Sequence, residues 1–123
     1  FIKQYLKSKG IKFSKEHYVR EIGRRYDFSF LIENSLVFVE FDGEQHFKTV
    51  NRWGGRKAYI KRHQADIEKN KYCLENNIPL LRIRFDQKYL ISEMIDDFLT
   101  NYKEYHNQFN PYLSKEAYYS VCE

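Results

Sequence analysis

The chain has little cysteine, and the two it has are not placed to act together. Cys73 and Cys122 show no CxxC spacing, so neither a zinc site nor a disulfide framework is indicated. A reducing, intracellular and cytoplasmic setting is the expectation that follows. No apolar run approaches the roughly 18 residues needed to span a bilayer, and no signal peptide is visible, so no membrane partner is expected. Internal repeats and low-complexity tracts are also lacking. No acid occurs between Phe1 and Ser14. The first residue is Phe rather than Met, inside an apparent helix, and the chain reads as trimmed or as the carboxy-terminal part of something longer.

Aromatic residues, by contrast, are abundant. Tyr and Phe number 11 and 10 in 123 residues, which argues against disorder and allows one domain with a single core. Lys plus Arg total 21 against 17 acids, a formal charge of +4. That excess is mild but uneven, because Arg52, Arg56, Lys57, Lys61, Arg62, Lys69 and Lys71 share one short window. Such local density suits a polyanionic partner; a solvated helix face is the plainer alternative.

The richest stretch runs from Tyr26-Asp27-Phe28-Ser29-Phe30, through a turn, to Val37-Phe38-Val39-Glu40-Phe41-Asp42-Gly43-Glu44-Gln45-His46. Both halves read as core strands, yet acids sit in them, and burying a carboxylate opposes folding unless something compensates it. A two-residue turn at Asn34-Ser35 predicts that Ile32 faces Val37, Phe30 faces Val39, and Asp27 faces Asp42. Side chains alternate along a strand. One face then carries Tyr26, Phe28, Phe30, Ile32, Val37, Val39 and Phe41, and the other gathers Asp27, Glu40 and Asp42 at its open end. A three-residue turn would mix acids into the apolar face.

Around this hairpin the pattern predicts a helix over residues 1–9 stopped by Gly10, and a strand from about Phe13 to Ile22. A loop follows the hairpin, holding Arg52, Trp53 and Gly54-Gly55, and then a long helix over about 56–76. Its expected inner face is Tyr59, Ile60, His63, Asp66, Ile67, Asn70, Cys73 and Leu74. Pro79 forbids continuation. Leu80 to Phe85 reads as a short strand, and Tyr89 to Tyr102 as an amphipathic helix that packs Leu90, Met94, Ile95, Phe98 and Leu99. The order α-β-β-β-α-β-α implies an α/β (α+β) fold, a mixed central sheet of about four strands flanked by helices. Residues 1–105 form the expected domain and 106–123 a carboxy-terminal appendage.

Clustered carboxylates on a rigid sheet suit a hard divalent ion, which takes oxygen ligands. Asp27, Glu40 and Asp42 are the expected ligands for Mg²⁺ or Mn²⁺, leaving positions for a phosphate and an attacking water. His46, beyond Gly43, is placed to take a proton from water or give one to the leaving oxygen; a solvated or structural histidine is the alternative. Asp66 completes the site or orients His46. Arg52, Trp53, Arg56, Lys61 and Arg62 are candidate contacts to nucleic acid. Arg82 and Arg84 are either further phosphate contacts or partners of the carboxylates.

These residues resemble the PD-(D/E)XK nuclease superfamily, and within it the branch of very-short-patch-repair endonucleases and phage homing endonucleases. The carriers are Tyr26-Asp27-Phe28, the block Val39 to Phe47, Asp66 with Asn70-Lys71-Tyr72-Cys73, and Ile78-Pro79-Leu80-Leu81-Arg82-Ile83. The match covers about residues 1–100. The resemblance implies a restriction-endonuclease-like fold, with Asp27 as the central metal-binding aspartate and Glu40 as the acid of the third motif. Asp42 stands where the family's usual lysine would be. The branch often carries a glutamate on its first helix, and none is found here.

The expectation is an endonuclease that hydrolyses double-stranded DNA with Mg²⁺ or Mn²⁺, in which Asp27, Glu40, Asp42, His46 and Asp66 form the catalytic set. A homodimer, a separate targeting domain in the parent protein, and phage-encoded action in a host cell are compatible with the resemblance. A binding module on the same fold without catalysis is the first alternative. An RNase or structure-selective nuclease is the second.

Overall fold

The computed structural model describes residues 1–43 and 55–107. The elements run α1 (Ile2–Ser8), β1 (Phe13–Val19), β2 (Arg24–Ile32), β3 (Ser35–Asp42), α2 (Gly55–Glu75), β4 (Leu80–Arg84) and α3 (Ile91–Asn101), with 3-10 segments at Phe85–Leu90 and Tyr102–Asn107. One four-stranded sheet has the order β1-β2-β3-β4. The first two pairings are antiparallel and β3–β4 is parallel, so the sheet is mixed, as the element order predicts.

Alternation along β3 and β4 divides the core into two layers. Val37, Val39, Leu81 and Ile83 join Phe28 and Phe30 beneath α1 and α3, packing with Ile2, Leu6, Ile91, Ile95 and Phe98. Phe38 and Leu80 point the other way, into a smaller cluster with Val19, Tyr26 and Cys73 of α2. Burying each large apolar side chain contributes about 1.5–3 kcal/mol, and Phe98 and Ile95 are wholly enclosed.

Helix ends follow local chemistry. After α1, Gly10 adopts a positive φ of 72°, and the amides of Gly10 and Ile11 return to the carbonyls of Lys7 and Leu6, a Schellman stop. Asn77 does the same for α2 at φ 54°, with Ile78 N–H donating to the Cys73 carbonyl at 2.9 Å. Pro79 then leads into β4. Among the described residues, no helix is long and apolar enough to cross a membrane.

The hairpin register differs from the expected one by two residues. Phe30 pairs with Val37 and Ile32 with Ser35, so the turn is Glu33-Asn34, both at positive φ (50° and 68°). That geometry matches the right-handed twist of the flanking strands, and it outweighs the better turn chemistry of Asn34-Ser35. A two-residue slip keeps the facing of every side chain, so Phe28, Phe30, Val37 and Val39 still share the main core. Tyr26 does not join them. It lies in the opposite layer, its ring stacked on Phe38 at 4.0 Å.

The exception has a local cause. The β1–β2 pairing passes from Lys15↔Phe28 to His17↔Tyr26 without pairing Glu16 and Asp27, and Glu16 has a φ of 53°. The alternation breaks there and Tyr26 turns over. The first strand also ends earlier than expected, at Val19 rather than near Ile22. On α2, His63, Asp66 and Cys73 are buried as the helical spacing predicts, but Leu74 is on the exposed side.

A carboxylate cluster between the sheet and the long helix

The β2–β3 ladder stops at Phe28↔Val39, and side chains take over its hydrogen bonding. Asp27 N–H donates to Glu40 Oε1 at 2.7 Å, and Phe41 N–H donates to Asp27 Oδ2 at 2.8 Å. Each acid thus satisfies a backbone amide of the neighbouring strand. Beyond this point β3 continues with β4 alone, where Glu40 pairs with Arg82 and Asp42 with Arg84.

Glu40 and Asp42 are two residues apart on one strand and so share a face. That face looks at α2, whose residues 63, 66, 70 and 73 recur at helical spacing. Glu40, Asp42 and Asp66 are all buried, and one ligand oxygen from each lies within 4.8 Å of the others. Asp27 sits beside this triad and is only partly buried; its described contact is to the Phe41 amide. The trio expected from sequence was Asp27, Glu40 and Asp42. The geometric trio among the described residues takes Asp66 from the helix, with Asp27 adjoining it through Glu40.

Among the described residues, Arg82 and Lys69 reach the acids. The Arg82 side chain is buried and fills the centre: its Nη1 donates to Asp42 Oδ1 at 2.7 Å and lies 3.6 Å from Asp66 Oδ1 and 4.0 Å from Glu40 Oε2. Its Nε donates to Asn70 Oδ1 at 2.8 Å, and Nη2 reaches the Asp66 carbonyl at 3.3 Å. Burial disfavours the guanidinium's charge, but Asp42, Asp66 and Glu40 outweigh it and hold its pKa above the ordinary value. Lys69 Nζ donates to Glu40 Oε2 at 3.0 Å from the more open side.

Glu40 titrates at about 7, pushed up mainly by burial, with the Asp27 charge adding and Arg82 and Lys69 opposing. Beneath it, Tyr26 donates from its hydroxyl to the Lys69 carbonyl at 2.8 Å, tying α2 to β2. Burial raises the Tyr26 hydroxyl well above its usual range and the Cys73 thiol to about 11.

The basic window separates into different roles. Lys69 turns inward to Glu40, and Lys71 lies 3.9 Å from Glu75. Lys61 is exposed on α2 and Arg62 is half-buried. Arg84 pairs with Asp86 at 2.8 Å. His46, Arg52 and Trp53 lie outside the described residues, as does the side chain of Arg56 and most of the expected 106–123 appendage. Sequence reasoning counted Lys69 only among the surface cations, although it lies three residues beyond Asp66 on a helix, a spacing that puts both on one side.

Comparison with protein-family models, with curated proteins and with solved structures finds no match for this chain.

Proposed function

We propose that this domain is a metal-dependent endonuclease that hydrolyses phosphodiester bonds of double-stranded DNA inside the cell, as the likeness to PD-(D/E)XK nucleases implies. The observation that carries the reading is the buried triad Glu40, Asp42 and Asp66, three oxygen donors converging from a strand and a helix. Hard divalent ions such as Mg²⁺ and Mn²⁺ prefer all-oxygen sites, and the donor set fits them. Bound there, such an ion would stabilise charge on a phosphate and acidify a water molecule.

The chain's own residues supply the rest. Glu40, Asp42 and Asp66 would hold the ion, and Asp27 fixes Glu40 by donating its amide to Oε1. Lys69, 3.0 Å from Glu40, would meet a phosphate oxygen next to the triad. Lys61 and Arg62, with Arg52, Trp53 and Arg56 ahead of them in sequence, are the candidate duplex contacts. His46 is the candidate proton carrier.

The test is incubation of the chain with supercoiled plasmid and Mg²⁺ or Mn²⁺, with EDTA and Glu40→Gln as controls. Nicking that needs the metal and disappears in the variant supports the nuclease. One observation favours a second reading, a DNA-binding module without catalysis: Arg82 already provides a positive charge at the triad's centre. That reading predicts salt-dependent duplex binding with no cleavage under any metal.

A further inference from the structure

Arg82 Nη1 lies within 4.0 Å of a carboxylate oxygen of each member of the triad. No other described cation reaches all three. It occupies the place where an ion bound by the same oxygens would sit, and a guanidinium and a divalent ion cannot share it, because like charges this close repel strongly in a buried site. On the metal reading above, we infer that Arg82 is the built-in counter-cation of the triad, and that a divalent ion enters by displacing its Nη1 from Asp42 and Asp66.

Charge and size both support an exchange. Arg82 brings one positive charge to the three carboxylates and an incoming divalent ion brings two, so the exchange strengthens the attraction the acids feel. The three oxygens lie within 4.8 Å of one another, and two oxygens on opposite sides of Mg²⁺ are about 4.2 Å apart. The triad therefore needs little rearrangement to close on an ion of that size once the guanidinium nitrogen leaves. Arg82 has a second anchor to swing about, because its Nε is held by Asn70 at 2.8 Å. With that bond kept, Nη1 leaves the carboxylates and Nη2 gives up its 3.3 Å contact to the Asp66 carbonyl, and the freed edge suits a phosphate group, a bidentate acceptor for the guanidinium fork.

The test titrates the metal alone. Mn²⁺ and Mg²⁺ binding is measured by calorimetry, and thermal stability with metal or EDTA, for the wild-type chain and for Arg82→Gln. The variant is expected to melt lower in EDTA, to gain more from metal than the wild type does, and to bind Mn²⁺ tighter by roughly tenfold or more, since a full like charge has gone. In the wild-type chain, Mg²⁺ titration followed through the arginine ¹⁵Nε resonances is expected to move Arg82 at saturation, which needs no variant to fold. If metal binds both proteins with equal affinity, or stabilises the wild type while the Arg82 resonance stays still, the exchange is wrong and the metal site stands. If neither protein binds either ion, the metal site itself is wrong and the exchange falls with it.

Discussion

Asp27 and Glu40 are joined through the backbone: the Asp27 amide donates to Glu40 Oε1 at 2.7 Å, while the Asp27 carboxylate accepts from Phe41, the residue after Glu40. An acid on each strand thus replaces a rung of the ladder between them. The carboxylates are seated by main-chain atoms, whose positions are the most constrained in a sheet, and this fixes Glu40 toward α2.

Glu40 makes metal-free stability depend on pH. Its folded pKa is about 7, against an ordinary value of 4.5, so between those pH values the folded chain keeps a proton that the unfolded chain has released. Stability must then fall as pH rises through this window and level off above it. In EDTA, the stability of Glu40→Gln relative to wild type is expected to improve from pH 4.5 to 7, by on the order of 3 kcal/mol in all. Urea melts of both proteins across that range measure it, and a flat difference would refute the burial of a charged Glu40.

The helix acid and the β2 acid should separate on metal binding. Asp66→Asn removes a carboxylate charge from the triad and is expected to weaken Mn²⁺ binding by roughly tenfold or more. Asp27→Asn keeps an acceptor for the Phe41 amide and is expected to change Mn²⁺ affinity less. Calorimetry on both variants decides; equal losses would return Asp27 to the first rank of ligands.

The hairpin turn carries removable strain. Glu33 and Asn34 both have positive φ, a conformation that favours Asn-Gly. The double change Glu33→Asn, Asn34→Gly is expected to stabilise the chain by about 1 kcal/mol. Chemical denaturation checks it, and a loss of stability would mean the turn is not of this type.

Tyr26→Phe keeps the stack on Phe38 and deletes only the hydroxyl that donates to the Lys69 carbonyl. A cost of about 1–2 kcal/mol is expected. In a Cys122→Ser background, faster labelling of the buried Cys73 should accompany it, because the same hydroxyl accepts from the Cys73 thiol at 3.5 Å. Unchanged labelling would show that this bond does not hold α2 in place.

Much of this was legible from residue order. Alternation in β2 and β3 revealed the apolar face, and helical spacing put His63 and Asp66 inward. The register was less so, since alternation fixes facing only to within two residues and Glu33 does not advertise a positive φ. Asp27 bonding to a backbone amide leaves no periodic trace. Arg82 was visible as an arginine in an apolar strand, but which acids it meets depends on the parallel register of β3 and β4, set by α2 and its Asn77 stop. Those are distant parts of the chain.

The broken ladder also changes what a loss of activity would look like. Because Asp27 and Glu40 accept main-chain hydrogen bonds, truncating either to alanine leaves a backbone amide without its acceptor, and the protein loosens whether or not it catalyses anything. A lineage without any catalytic activity would still be obliged to keep an acceptor oxygen at these two positions to close its own sheet. The presence of the pair is thus a demand of folding first, and only the amide substitutions, which keep an acceptor oxygen, can ask it about chemistry.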